Sequence, residues 1–508
     1  MNFILKILIV IFFIIEVNTL LSQESKKIDI IQASALEFDE EIAEGSKRLI
    51  GDVVFHHDGI YMFCDSAHFF DEQNIAIAYN NVRIKQGDSI LIVGQYLEYD
   101  GDTKLVKMRD SVTLKHNHSY LLTNFLDYNR IDEIGYYFKG GTIYDGNNIL
   151  TSRRGYYYTN DKDYYAVDSV KLVNPDYVIT SDTMKYGTET GIAYFFGKTE
   201  IISDSNYIYC ENGFYDTQEN IASFSKNSYL VSGSYFLKGD SLYYDRKIKF
   251  GEGFHNVSIV DTAESVMALG NYGYFYESPE YAFITEQAQL IYFKDNDSIF
   301  LHSDTVIMNT DSLDFKLIRA FRKVQIFKSD AQARCDSLTF YLKDSIARLY
   351  YEPIIWAENN KQLSAKHIYI QFKEKKPESF YLEENAFVIE NIDSIYYSQA
   401  KSDKMIGYIK DDELREVNMY KNSQTIYYIT DDDTEEVIGY NRLFCVDMTL
   451  ELENKKLKGL WVYDKPEAIF MSIEQLTDED FFLRDFLWLD NYRPKTKYDI
   501  FDWKNIEK

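Results

Sequence analysis

Residues 81–100 contain Asn81-Val82-Arg83-Ile84-Lys85, Gly87-Asp88-Ser89, Ile90-Leu91-Ile92-Val93-Gly94 and Leu97-Glu98-Tyr99-Asp100. Val82 and Ile84 alternate with polar neighbours, which gives a strand one apolar face. Gly87, Asp88 and Ser89 then supply a turn. Ile90 and Ile92 alternate again on the returning strand. Asp100, Gly101 and Asp102 turn the chain once more before a shorter strand, Leu105 to Met108. Turn residues of this kind between neighbouring apolar runs specify antiparallel hairpins.

The same pattern recurs. Units open at Val53, Val82, Val112, Thr142, Val170, Thr199, Ser228 and Val257, in steps of 28–30 residues. Later openings near Ala288, Val324, Pro353 and Ala386 are less regular. One unit cannot bury its own apolar face, whereas a stack of units buries a continuous core. The spacing therefore predicts an all-β chain of stacked antiparallel hairpins with a period of about 29 residues. Asp-Ser and Asp-Thr pairs punctuate the repeat at Asp88-Ser89, Asp110-Ser111, Asp168-Ser169, Asp182-Thr183, Asp240-Ser241 and Asp336-Ser337. Such side chains close turns on their own backbone, which accounts for many of the acids without a ligand.

Composition agrees. The 508 residues include 44 Tyr and 34 Phe but 6 Pro, and aromatics reach 16%. Aromatic and β-branched residues suit pleated surfaces, and scarce proline leaves nearly every N–H free to join a ladder. A net charge of −27 argues against nucleic-acid binding and serves solubility. The apolar run Ile7–Ile15 after Lys6, with Ser22 before Gln23, reads as a secretory signal over residues 1–22. It is short for a membrane span, and a retained anchor reaching Leu21 is the rival reading. Cys64, Cys210 and Cys335 occupy the same place in different repeats, so they read as small buried residues, not disulfide partners or metal ligands.

Gly51-Asp52-Val53-Val54-Phe55, Met62-Phe63-Cys64-Asp65-Ser66-Ala67-His68-Phe69 and Asn81-Val82-Arg83-Ile84 together resemble the organic-solvent-tolerance (OstA-like) family of lipopolysaccharide-transport proteins. The pattern is a Gly/Asn-x-Val opening, a turn, then a small residue with Asp, an apolar residue and an aromatic. It returns at Val178–Tyr186, Leu237–Asp245 and Ala333–Phe340. The resemblance spans roughly residues 28–400 and is strongest before 260. It implies an open β-jellyroll whose two walls enclose a groove for lipid acyl chains, in a periplasmic carrier or bridge for lipopolysaccharide or a related glycolipid. It also implies partners of the same transport system docking at sheet edges, and end-to-end self-association. On that basis the groove candidates are Val82, Ile84, Ile90, Ile92, Val112, Leu114, Leu121, Val170, Leu172, Val178 and Ile201. The chain has too little length after the repeats for a large C-terminal barrel.

The repeats divide by regularity into residues 28–260 and 261–402, and from about Asp403 the chain changes character. An acidic run, Asp431-Asp432-Asp433-Thr434-Glu435-Glu436, reads as solvated loop. Thr477 followed by Asp478, Glu479 and Asp480 reads as the start of a terminal helix that caps the sheet edge. No nucleophile elbow, zinc-protease motif or phosphate loop occurs, and the expectation is a non-enzymatic chain without metal or cofactor. His56 and His57 point to opposite faces of a strand, while His116 and His118 share one. The competing reading is a structural or adhesive β-solenoid, or a polysaccharide-processing parallel β-helix.

Overall fold

The computed structural model describes residues 26–506 apart from 39–44, 205, 294–297, 311–315, 359, 375, 394, 432–435 and 455. The expected signal segment and the centre of the acidic run lie outside the described residues. The chain divides into two compact units, residues 1–222 and 223–508. The change in repeat spacing expected at 260 falls inside the second unit.

The first unit contains β1 (Asp29–Gln32), β2 (Ala35–Phe38), β3 (Lys47–His57), β4 (Ile60–Phe70), β5 (Ile75–Gln86), β6 (Ile90–Asp100), β7 (Leu105–His116), β8 (Ser119–Asn129), β9 (Ile134–Tyr137), β10 (Gly141–Asp145), β11 (Asn148–Ser152), β12 (Arg154–Tyr158), β13 (Asp163–Asn174), β14 (Tyr177–Gly187), β15 (Ile192–Ser203) and β16 (Asn206–Asp216). Long strands pair antiparallel in sequence from β3 to β8 and from β13 to β16, and the short strands β9 to β12 join β8 to β13, also antiparallel. A parallel β-helix is thereby excluded.

Each long strand bends at its middle, where the ladder skips. The skips fall at Tyr79/Val82 in β5, Arg109/Val112 in β7 and Val167/Val170 in β13. The skipped residues, Asn80-Asn81, Asp110-Ser111 and Asp168-Ser169, all have positive φ. This is the geometry of a β-bulge, which bends the strand and leaves the extra residues unpaired. Asp and Asn tolerate that region better than most side chains. The Asp-Ser pairs at 110 and 168 are therefore mid-strand corners, not hairpin turns. The corner separates two walls. Residues Tyr120–Thr123 of β8 pair with β10 in wall A, and Leu126–Asn129 pair with β9 in wall B.

Two devices hold the corners. First, an acid or amide on the neighbouring strand bonds the bulged pair. Asn81 Nδ2 donates to Asp65 (2.7 Å), the Ser111 amide to Asn124 (3.2 Å) and the Lys198 amide to Asp182 (3.1 Å). Second, a small residue beside that acid leaves room for the bend and often donates to the carbonyl two residues on. Ser181 reaches Thr183 O at 3.0 Å.

The second unit repeats these devices. Positive-φ pairs fall at His255-Asn256, Glu286-Gln287, Arg322-Lys323, Glu384-Asn385, Lys421-Asn422 and Asp464-Lys465. Asn256 donates to Asp240 (2.9 Å) and Asn422 to Asp403 (3.1 Å). Ser303, Cys335, Ser402 and Cys445 donate to the carbonyls of Thr305, Ser337, Lys404 and Asp447. The corner series thus runs through Asp403 without a break in kind.

The terminal segment differs from the expected helix. Thr477 bonds Asp480 through one turn, with the Asp480 amide on Thr477 O at 2.9 Å, and the chain then goes on without helix through a second turn, the Phe486 amide on Leu483 O at 3.2 Å. Gln399 holds it there, accepting from the Leu483 amide (2.8 Å) and donating to Phe481 O (2.8 Å). Gln362 does the same to Leu489 and Leu487, both at 2.7 Å. These amide clamps occupy backbone groups that a helix would need. Three short 3-10 turns, Ile473–Gln475, Asp490–Tyr492 and Asp499–Phe501, are the helical elements among the described residues. Leu483 packs into a buried cluster with Phe387, Ile389, Ile426, Tyr428 and Tyr440 on the outer face of wall A.

Candidate functional site

The space between the walls is where a ligand could lie. In the first unit, alternation sends one residue in two into it. Val82, Ile84, Ile90, Ile92, Val112, Leu114, Leu121, Val170, Leu172 and Ile201 are all buried on the inner face of wall A. Val178 is the exception. It is half-buried on the opposite face, while its neighbours Tyr177 and Ile179 point inward. Counting back by twos from the corner residue Ser181 gives 179 and 177, so the pleat turns Val178 outward.

Facing these residues, wall B carries a line of tyrosines at a regular interval: Tyr99, Tyr128, Tyr157, Tyr186 and Tyr215. All are buried. The hydroxyls of the first four cross to the far end of wall A, while that of Tyr215 donates to Asn220 at 3.0 Å. Tyr99 meets His57 Nδ1 at 2.6 Å, Tyr157 meets His116 Nδ1 at 2.7 Å and Tyr186 donates to Asp145 at 2.8 Å. Tyr128 makes a longer contact with Gln86, 3.4 Å. Around the first rung, Arg130 donates to Tyr99 (2.8 Å) and to Asp58 O (2.9 Å), and Lys104 pairs with Asp58. The interior of residues 47–216 is therefore bounded by corners on one side and by polar rungs on the other.

Burial sets the electrostatics of these rungs. Desolvation holds His57 and His116 below the usual histidine range. His57 Nε2 lies 2.7 Å from Lys26 O. A neutral ring that donates there accepts the Tyr99 hydroxyl proton at Nδ1. The Lys104 hydrogen bond pulls Asp58 down to about 2. Neither histidine pair chelates. His56 faces outward against Tyr61, at a ring separation of 4.8 Å, and His118 pairs with Asp145 at 3.1 Å. Among the described residues no cluster of three or more metal-ligating side chains occurs.

The second unit is built differently between its walls. Its wall B line opens with the buried Tyr244, which donates to Glu277 at 3.3 Å, and after Gly251 runs through Phe275, Ala282, Met308, Ile318, Phe340, Ala347, Ile370, Phe380 and Gly407, successive partners in the ladder. Tyrosine hydroxyls are absent from this stretch of the line. Ile318, Phe340, Ile370 and Phe380 are only half-buried, and so are Ile326, Ile355, Leu363 and Val388 on the inner face of wall A. One polar bracket precedes this stretch. Lys316 lies 3.4 Å from Asp261, 3.2 Å from Glu264 and 3.7 Å from Glu280. Burial works against the Lys316 charge, but the three carboxylates outweigh it and hold its pKa above the usual range. A cavity of about 50 Å³ beside it is lined by Tyr235, Val266, Met308 and Ile318 among others.

Residues 25–182 match the family described as OstA-like protein. That stretch is similar to the family over about a third of the chain. The OstA-like stretch spans the first corners and the tyrosine rungs as far as Tyr157. Among solved structures, the chain is similar to LptH, described as the LptA-homologous periplasmic component of the conserved lipopolysaccharide transport device from Pseudomonas aeruginosa. Identity there is 13%, over 33% of this chain and 80% of that one, with a TM-score of 0.12, a level that carries no weight for fold or function. No curated protein matches the chain.

Proposed function

We propose that the chain is a non-enzymatic carrier or bridge for lipopolysaccharide-type glycolipid, acting in the periplasm, with acyl chains held between the two walls. The observation that supports this most is the pairing of two apolar inner faces across one corner line in an OstA-like stretch. Ile92 and Leu114 belong to those faces, and the second unit has apolar inner faces of its own, with Leu363 and Ile370. Apolar surface removed from water contributes about 25 cal/mol per Å², so the acyl chains supply the affinity. The headgroup stays in water, consistent with a chain of net charge −27. Sheet edges are the places for other transport components, or a second copy, to add strands. The closed interior of residues 47–216 favours a second role for that part, as a spacer.

Native mass spectrometry of protein purified from its own envelope tests the reading. Lipid A-type acyl species are expected to co-purify. Protein free of lipid that also takes up no added glycolipid would overturn it, in favour of a structural or adhesive β-solenoid.

A further inference from the structure

The outer face of wall B carries aromatic rings in both units, and in the first unit the chain covers them with its own cations. Tyr165, Lys185 and Tyr194 are successive partners across three strands. The Lys185 ammonium lies 5.8 Å from one ring centre and 5.7 Å from the other. Arg109 lies in the same way over Phe125 and Phe138, at 5.8 and 5.5 Å. The electron-rich face of an aromatic ring attracts such cations. In the second unit the column Tyr243, Glu252, Tyr274 repeats the Tyr165, Lys185, Tyr194 column with the central charge reversed. These three residues are the outward neighbours of the inner line Tyr244, Gly251 and Phe275, and all three are half-buried.

We propose that this outer face is a docking site for an arginine-bearing segment of a partner protein. The partner's guanidinium lies over Tyr274, as Lys185 lies over Tyr194, and bonds Glu252. The site is independent of the carrier reading and goes beyond it.

The surroundings extend the platform and fix its charge. Phe283 continues the column and stacks on Tyr274, with 5.0 Å between ring centres and 18° between planes. Phe250 and Tyr276 flank the column on one side, 4.8 Å apart, and Phe254 and Tyr272 on the other, 5.5 Å apart. The Tyr272 hydroxyl donates to Glu252 at 2.6 Å, and that carboxylate pushes it up to about 12. The groups whose charge bears most on Tyr272 and Tyr274 are Glu252, Tyr276 and Tyr281, and none is a cation. A carboxylate has about four acceptor sites, so the Tyr272 bond leaves Glu252 room for two guanidinium N–H groups. Arginine fits better than lysine, because its planar head stacks on a ring and bonds a carboxylate through two N–H groups at once. Anionic partners are repelled by Glu252 and by a chain of net charge −27. Rings two residues apart on a strand lie about 6.8 Å from each other, the step between alternate side chains of an extended peptide. One extended segment therefore reaches two columns.

Fluorescence anisotropy on the full chain tests the site, with a labelled Arg-Gly-Arg-Gly-Arg peptide and its uncharged citrulline counterpart as probes. The arginine peptide is expected to bind, and the citrulline peptide to bind about tenfold more weakly or worse. E252Q keeps the side-chain shape and is expected to weaken the arginine peptide about tenfold. E252K rebuilds the Lys185 arrangement from within and is expected to abolish binding. E479K makes the same change of charge at an exposed position in the terminal segment and is expected to leave affinity within about twofold. No binding of the arginine peptide, or binding unchanged in E252Q, would overturn the site. Equal weakening by E252K and E479K would also overturn it, by reducing the attraction to bulk charge. Binding of a neutral glucan oligosaccharide in place of the arginine peptide would overturn it in favour of a sugar platform.

Discussion

The imidazole of His57 and the hydroxyl of Tyr99 meet at 2.6 Å and join the two walls of the first unit across their open side. His116 and Tyr157 repeat the contact two rungs on. Both rings are held neutral by desolvation, with pKa below the free value near 6.5. At pH above that value neither state of the chain binds a proton at these sites, and their full contribution is present. As pH falls through about 6.5 the unfolded chain is protonated first, so stability is lost. Urea unfolding at pH 5 and pH 7.5 is expected to show a lower midpoint at pH 5. H57Q with H116Q, which copies the glutamine found at Gln86, is expected to shrink the difference. An unchanged pH dependence in the double variant would remove the histidines from the account.

Removing one hydroxyl tests a rung directly. Y157F keeps the ring, which stacks on Tyr164 at 4.0 Å between ring centres, but leaves His116 Nδ1 without its partner. The expected cost is about 1–3 kcal/mol, read from chemical denaturation. A cost near zero would mean that the rungs do not contribute to closing the walls.

Corners make a different prediction. Asn81 sits at φ 51° and also bonds Asp65. Asn81→Gly loses the hydrogen bond and keeps the backbone free, whereas Asn81→Val adds a β-branched side chain at positive φ. The valine variant is expected to be less stable than the glycine one by roughly 1–2 kcal/mol. Equal melting temperatures would show that the bend carries no strain.

The four cysteines are buried and free. Burial pushes the Cys64 and Cys210 thiols up to about 12, so native protein is expected to ignore a thiol reagent at pH 8 and to react at four sites once denatured. C335S is expected to cost under about 1 kcal/mol, because serine occupies the equivalent corners at Ser181, Ser303 and Ser402 with the same bond. C335L overfills the bend and is expected to cost about 1–3 kcal/mol.

The amide clamps hold the terminal segment. Gln399→Leu removes both partners of Phe481 O and Leu483 N. Limited proteolysis is expected to cut near residues 480–490 faster in this variant, while the tyrosine rungs stay protected. Identical cleavage would place the hold elsewhere, in the Leu483 cluster.

Much of this architecture was legible in the chain, because a two-residue alternation repeated at a fixed spacing leaves few alternatives. The inner-face residues from Val82 to Leu121 follow from it directly. Val178 did not, because Tyr177-Val178-Ile179 is apolar throughout and hides its own parity. Only the corner at Ser181 fixes it. The tyrosines from Tyr99 to Tyr215 were a readable periodic signal, yet what they bond to depends on wall-to-wall contacts some 41–42 residues away along the chain. The Asp-Ser corners carry the same residue types as hairpin turns, and side-chain chemistry alone does not distinguish the two. The helix expected after Thr477 failed because tertiary partners, Gln399 and Gln362, claimed the backbone groups that helix formation requires.

The corners also bear on how such a chain changes length over generations. Each bend brings its own bulged pair, its own small residue and its own acid, so a rung is a self-contained module. Duplicating or deleting one whole period splices corner to corner and disturbs no neighbour's register. Extra residues at a hairpin tip lengthen an arm and leave the row of bends in line. The wider intervals between the later pairs, Glu384-Asn385, Lys421-Asn422 and Asp464-Lys465, are what such growth would leave behind.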